Sequence, residues 1–473
     1  MVHLITELSK YTMLILMALY TYQGFSALKR NCPPRKQAGK LRRQTCYLYL
    51  FHCNAYAVLW FSTKNTDLLF LYLAQVLLFT AIYSMYCTVY KEASRLVVNN
   101  MCMLMAIGFV MLARLSYDTA MRQFVLAVVS VVISTLIPYI ISQTRSGFRK
   151  LTWLYALTGI GMLGVVAALG VATKGANLSF TIAGITIQPS EFIKIVFVFL
   201  IASMLYASTD FLQVVKVTVV AGIHVLILVL SRDLGGALIF FVVYLIMVYV
   251  ATRKPLYFFG GLAGGSVASV VAYFLFNHVR VRVVAWQDPL GHFELEGNQV
   301  SHSLFAIGTG GWFGMGLNQG MPGRIPEVKK DFIFSAIAEE LGLLFALCLI
   351  LVCFCCFLMF LNIAMQMKDR FYKYVALGLG TVYGFQIFLS IGGNIKFIPS
   401  TGVTLPLVSY GGSSMLSTLM IFSIIQGLYL MHQKEGGSRG VGSRKKSKQT
   451  KESRSAGDIP RQAGRQQKGS AKP

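Results

Sequence analysis

The chain has 473 residues, of which 55% are apolar and 13% charged, with a mean hydropathy of +0.62. That balance excludes a soluble globular protein. Apolar runs long enough to cross a bilayer recur, and they are continuous rather than alternating, so helices and not a β-barrel span the membrane. The net charge of +25 gathers beside these runs, which marks a cytoplasmic face and contact with membrane lipids rather than with nucleic acid.

About thirteen spans are predicted. Three come first, at roughly 11–28, 46–62 and 68–90, and form an N-terminal extension over 1–96. No small-residue cleavage site follows the first run, so it reads as a retained span. Ten more form a core over 97–431: 97–115, 122–142, 151–171, 191–208, 212–231, 234–251, 255–277, 332–360, 373–391 and 408–431. Basic loops alternate correctly along this series if the N-terminus is outside and the C-terminus inside. The loop Lys29–Arg43 holds seven Lys/Arg and no acid, and the tail from His432 to Pro473 holds 12 Lys/Arg against 3 acids. The tail, 432–473, has almost no apolar content and is expected to be disordered. Nine cysteines lie in spans or inner loops, without metal-ligand spacing to histidine.

Three outer loops stand out: 172–190, the long 278–331, and 392–407. The long one runs into Lys330-Asp331-Phe332-Ile333-Phe334-Ser335-Ala336-Ile337-Ala338-Glu339-Glu340. Carboxylates at a membrane boundary are costly and are kept mainly where they act, which makes Asp331 the first suspect for chemistry. Its bland alternative is a helix N-cap. Glu339 and Glu340 lie two or more turns deeper, and pairing with a cation such as Lys396 or Arg232 is the favoured reading for them. Asp233 is expected to cap the helix that begins at Leu234. The glycines between Gly308 and Gly320 match no phosphate-loop spacing, so turn geometry is the safer reading.

Four segments carry a family resemblance: IQPSEFIK (187–194), RDLGGAL (232–238), HSLFAIGTGGWFGMGL (302–317) continuing to KKDFIFSAIAEELG (329–342), and GGNIKFIPSTGVTLPLVSYGGSS (392–414). In order, spacing and face they resemble the SEDS family (shape, elongation, division and sporulation) of RodA, FtsW and SpoVE type, over about 97–431. The resemblance implies an all-α polytopic fold with a ten-span core and the long outer loop before its eighth span. It also implies a peptidoglycan glycosyltransferase of the bacterial cytoplasmic membrane, which polymerises lipid II on the outer face. Expected partners are a class B penicillin-binding protein and other division or elongation machinery. The family's essential aspartate maps onto Asp331.

On that reading Asp331 takes the proton of an attacking sugar hydroxyl while a diphosphate leaves. Cationic groups, or a divalent ion such as Mg²⁺ or Mn²⁺, offset the diphosphate's charge. Lys174, Arg280, Arg282 and Lys396 are the cationic candidates on the outer face. Glu191, Ser303, Ser409 and Tyr410 are further substrate-binding candidates within the motifs. Two departures bear on substrate contacts. The family's Gly-Ala-x-Arg-Trp appears here as Gly175-Ala176-Asn177-Leu178-Ser179, and a common Gln-Ser pair as His302-Ser303. A lipid II flippase or other transporter, and a scaffold for a crosslinking enzyme, are the alternative functions. The gathering of loops and suspect carboxylate on one face, with no visible inverted repeat, argues against transport.

Overall fold

In the computed structural model, residues 2–29, 33–144, 147–169, 171–173, 176–182 and 185–455 are described. Helices follow in the order α1 (Val2–Leu28), α2 (Pro34–Thr63), α3 (Asp67–Thr88), α4 (Arg95–Leu115), α5 (Tyr117–Thr135), α6 (Ile137–Gln143) and α7 (Thr152–Leu169). Then come α8 (Ser190–Ala207), α9 (Phe211–Leu230), α10 (Leu234–Thr252), α11 (Pro255–Leu275), α12 (Asn277–Gln287), α13 (Asn298–Gly310), α14 (Ile333–Leu341), α15 (Leu343–Gln366), α16 (Arg370–Asn394) and α17 (Gly412–Ser455). Among the described residues ten helices are long and apolar enough to cross a membrane, with α5 and α6 forming one of them. Pro138 marks the joint between those two.

The bundle is built around α4. Every residue of its apolar window is buried, where α11 has none buried. Helices α2, α3, α5, α14, α15 and α17 pack around α4. The N-terminal helices dock on it through polar groups. Tyr20 Oη and Gln44 Nε2 both donate to Asn100 Oδ1 (3.0 and 3.2 Å), and Asn99 Nδ2 donates to Gln44 Oε1 (2.9 Å). Such bonds hold helices together where lipid supplies no hydrophobic drive.

Three features differ from expectation. The outer loop after α7 contains a small antiparallel sheet, β1 (Val171–Thr173), β2 (Ala176–Ile182) and β3 (Ile185–Ile187), in the order β1-β2-β3. Its run of Ser, Phe, Thr and Ile suits a pleated hairpin more than a bare loop. Helix α17 continues to Ser455, past residue 431, where the last span was expected to give way to a disordered tail. Residues 456–473 lie outside the described residues.

The third difference is a break. The expected single span 332–360 is two helices, α14 and α15, parted at Gly342. Gly342 has φ 87° and ψ 165°, a region almost closed to residues with a Cβ. The Gly-rich segment 311–316 is laid against this break by four backbone bonds. Met315 and Gly316 donate to the carbonyls of Glu339 and Glu340 (3.0 and 2.9 Å), and Leu343 and Leu344 donate to those of Gly311 and Trp312 (2.9 and 3.2 Å). A Cβ on Gly342 would stand 2.4 Å from Gly314 N and 2.6 Å from Trp312 O. Gly342→Ala is therefore expected to destabilise the protein by about 2 kcal/mol or more, counting strain alone at ~1–3 kcal/mol. Detergent unfolding of the variant beside wild type measures it, and an unchanged midpoint would refute the close approach.

Candidate active site

At the end of the bundle where α4 finishes, a cavity of about 870 Å³ opens between α5, α8, α10, α12 and the segments 327–331 and 401–414. Its apolar lining is Met121, Val125, Leu126, Ile239 and Phe240. Its polar lining is charged: Arg122, Lys194, Arg232, Arg282 and Lys330 face Glu191, Asp233, Glu327 and Asp331.

Asp331 lies half-buried in the turn before α14. It is not that helix's N-cap: the cap position is Phe332, and no side chain caps the helix. Its backbone is held from several sides. Asn394 Nδ2, at the end of α16, donates to the Asp331 carbonyl (2.7 Å), while Ser335 Oγ donates to Asn394 Oδ1 (2.9 Å) and Ser303 Oγ to the Asn394 carbonyl (2.8 Å). The carboxylate is thus aimed into the cavity by a support built from three elements.

Arg282 stands beside it. A Cβ on Gly402 would lie 3.6 Å from Asp331 Oδ2 and 3.9 Å from Arg282 Nη2, so carboxylate and guanidinium flank the same glycine. Gly402 has φ +72°, and the turn it allows brings the Ser400 carbonyl onto Arg282 Nη1 (3.0 Å). Burial lowers the Arg282 pKa, and Asp233 and Asp331 pull the other way. Arginine's ordinary value is so high that the group stays charged. His278, one turn earlier on α12, is lowered by burial and by the charges of Arg232 and Arg282. Arg232 and Arg282 thus bring two positive charges to this wall, where an anion can meet them.

The other polar side chains form the frame. Asp233 caps α10, accepting from Gly236 N (2.8 Å) and from Ser190 Oγ (3.1 Å). Burial pushes its carboxyl up, against those two bonds. Glu191 Oε2 accepts from Lys194 Nζ (2.6 Å) and Ser417 Oγ (2.8 Å), and Lys194 also donates to Gln386 Oε1 (2.8 Å). Tyr410 lines the cavity, and its N–H donates to the Lys329 carbonyl (2.8 Å), tying the 401–414 segment to the Asp331 turn.

Of the sequence candidates, Asp331, Glu191, Arg282, Tyr410 and Asp233 therefore converge on one cavity. Four others do not line it. Arg280 sits over the Tyr273 ring (5.8 Å), and the Lys396 carbonyl accepts from Trp286 Nε1 (3.1 Å). Ser303 supports Asn394, and Ser409 Oγ accepts from Leu405 N (2.9 Å) to build its turn. Lys174 lies outside the described residues. Glu339 and Glu340 are partnered by groups other than Lys396 or Arg232. Glu339 Oε1 accepts from Met321 N (2.8 Å), and Glu340 Oε1 pairs with Arg114 Nε (2.9 Å). Arg114 stands in the last turn of α4, which packs against α14 and so brings the two side chains together. Sequence reasoning missed Arg122, Lys194, Glu327 and Lys330 as cavity residues. For Lys194 a signal existed, since Glu191 and Lys194 at i and i+3 open an apolar helix.

Among the described residues no three His, Cys, Asp or Glu side chains gather as a metal site. What the cavity offers is a carboxylate able to take a proton, a guanidinium beside it for an anion, and an apolar lining for a hydrocarbon chain.

These features define a polytopic helical membrane protein with a charged cavity at one end of its bundle. The chain belongs to the FtsW/RodA/SpoVE family of cell cycle proteins, whose family model matches residues 94–434. The match starts where α4 starts and leaves α1–α3 outside it. The peptidoglycan glycosyltransferase RodA of Mycobacterium leprae is 31% identical over 349 residues, covering 68% of this chain and 75% of that protein. A probable peptidoglycan glycosyltransferase FtsW of Neisseria gonorrhoeae is 31% identical over 337 residues, covering 61% and 71%. In fold the chain is similar to a member of a peptidoglycan synthase complex that coordinates polymerization and crosslinking, at TM-score 0.61 and 22% identity over 72% of this chain and 98% of that one. It is also similar to the rod shape determining protein RodA of Thermus thermophilus, at TM-score 0.52 and 22% identity over 71% and 96%.

Proposed function

We propose that this protein is a peptidoglycan glycosyltransferase that polymerises lipid II, with Asp331 as general base. The observation that carries the reading is the pair Asp331 and Arg282 around Gly402, lining a cavity with both charged and apolar walls, in a chain of this family. The acceptor sugar hydroxyl gives its proton to the Asp331 carboxylate as its oxygen attacks the donor's anomeric carbon. The carbon–oxygen bond to the diphosphate breaks, and undecaprenyl diphosphate leaves. Attack opposite that axial group inverts the centre and gives a β-linkage. Arg282, with Arg232 and Lys330, offsets the charge that grows on the leaving diphosphate. Ile239, Phe240 and Val125 offer the first stretch of the prenyl chain an apolar bed.

In this reading the cavity faces outward and the C-terminal end of α17 inward. Residues 1–96 are an extension, 97–431 the catalytic core and 432–473 a basic tail. A class B penicillin-binding protein crosslinks the strands. The named synthase complex among the structural relatives supports a partner of that kind.

The test is polymerisation of labelled lipid II by the purified chain with its crosslinking partner. Long strands are expected. No strands, with lipid II instead crossing liposomes, would replace the enzyme by a transporter. Arg282→Gln is expected to lower kcat/KM on the order of 10²-fold, the usual cost of losing a group that meets developing negative charge, and Arg282→Lys to recover part of it. Equal rates for all three forms would remove Arg282 from the anion site.

A further inference from the structure

A second cavity, of about 390 Å³, lies at the opposite end of α4, between α2, α3 and the start of α4. Helix α4 runs about 30 Å at 1.5 Å per residue, from Arg95 at this cavity to Arg114 at the Glu340 pair. The cavity is therefore on the face that carries the basic loop Lys29–Arg43, away from Asp331.

Its lining has two halves. Arg42, Lys91 and Arg95 stand exposed around it, and among the described residues none of them has an ion pair or a hydrogen bond from its side chain. Glu92, the acid nearest in sequence, is exposed and does not line the cavity. Deeper in, Tyr49, Tyr83 and Tyr86 form walls of aromatic ring with Val98. Three unneutralised cations converging on one hollow repel each other, and the arrangement is stabilised by an anion brought among them. A free anion would satisfy the cations and leave the ring-walled hollow empty. A small apolar molecule would do the reverse. An amphiphile with an anionic head satisfies both at a helix bundle's membrane boundary.

We propose that this cavity binds one acidic phospholipid, with its phosphodiester among Arg42, Lys91 and Arg95 and the upper part of an acyl chain against the tyrosines. Helix α2 spans 30 residues, more than a bilayer core needs, and its first turns carry Arg35, Lys36, Lys40, Arg42 and Arg43 beyond the apolar region. That collar raises the local concentration of acidic lipid, and the cavity selects one molecule from it. The occupant would brace α2 and α3 against α4, the helix around which the family core is packed.

The experiment uses the full chain in nanodiscs of phosphatidylcholine containing phosphatidylglycerol. Lipid retained after detergent washing is counted by mass spectrometry of the intact protein. Wild type is expected to keep phosphatidylglycerol over phosphatidylcholine on the order of ten-fold, since each basic residue near an anionic headgroup adds a several-fold preference. Arg42→Gln/Lys91→Gln/Arg95→Gln should lose most of that preference. Cys46→Trp keeps every cation and fills the hollow from an exposed lining position, and it should lose the preference too. Full preference in the Cys46→Trp form would assign the effect to a diffuse basic surface and overturn the cavity. So would an unselective wild type. Release of the lipid by excess inorganic phosphate would reduce the site to a phosphate site and also overturn the proposal. Independent of lipid counting, Cys87 lines the same hollow and Cys53 lies outside it. Phosphatidylglycerol should slow alkylation of Cys87 and leave Cys53 unchanged, and equal rates would count against it.

Discussion

Asp331→Asn is expected to abolish lipid II polymerisation by at least ~10²-fold in kcat while the protein folds and elutes as wild type does. The two halves of this expectation rest on different atoms. Folding is preserved because the turn is held through its backbone, with the residue 331 carbonyl accepting from Asn394 Nδ2 at 2.7 Å and its N–H donating to the Glu327 carbonyl at 3.2 Å, and both bonds survive the exchange. Shape is preserved because an amide replaces a carboxylate of the same size. Activity is lost because an amide cannot take the acceptor hydroxyl's proton. Were Asp331 only a partner for Arg282, its loss would show mainly in KM, and raised lipid II concentration would restore the rate. A base lost from the transition state lowers kcat at saturation. Near-normal strand synthesis by the purified variant would discard Asp331 as the base, and no strands from either wild type or variant would favour the scaffold reading.

Ten of the roughly thirteen expected spans were legible because continuous apolar runs report helices in lipid directly, and the Asp331 turn because its charge stands at a costly depth; α1, α2 and α7 are helical but fall outside the ten. Asp233 was legible as a cap for a similar local reason: a short acidic side chain immediately before an apolar run. The rest depended on what the chain meets far away. Gly342 reads as one more tolerated small residue inside an apolar stretch, and only its contact with Gly314 and Trp312 makes it a break. Ser303 has the look of a substrate-facing hydroxyl in a Gly-rich loop, yet its oxygen is spent on Asn394, 91 residues on. Lys396 and Arg280 lie on the correct face but do not line the cavity: the Lys396 backbone carbonyl accepts from Trp286, and the Arg280 guanidinium sits over Tyr273, because a face holds more cations than a cavity can use. Arg122 and Lys330 were passed over for the converse reason. Each looks like an ordinary boundary charge until α5 and the Asp331 turn are brought to the same cavity.

Breaking the Arg114–Glu340 pair should be the most destabilising single change outside the catalytic turn. The two residues are 226 positions apart, and Glu340 is fully buried while the Arg114 side chain is 18% exposed. Arg114 Nε donates to Glu340 Oε1 at 2.9 Å, and its Nη2 donates to the Gly320 carbonyl at 3.1 Å. One guanidinium thus joins α4, the outer loop and α14, the helix that follows Asp331. Glu340→Leu leaves a buried guanidinium without its counter-ion, and Arg114→Met leaves a buried carboxylate without one. Each should cost about 3–5 kcal/mol. The double variant Arg114→Met/Glu340→Leu buries no charge, and the apolar pair should recover most of the loss. It should stop short of wild type by about 1–3 kcal/mol, because the Gly320 carbonyl has lost its donor. Unfolding of the four forms in detergent closes the cycle. If the single losses simply add in the double variant, the two groups do not act as a pair and the junction is held by packing alone. If the cycle shows the expected coupling, polymerisation should follow stability: weak in both single variants, largely regained in the double. Arg114 and Glu340 only place α14, and Asp331 is untouched in all four forms.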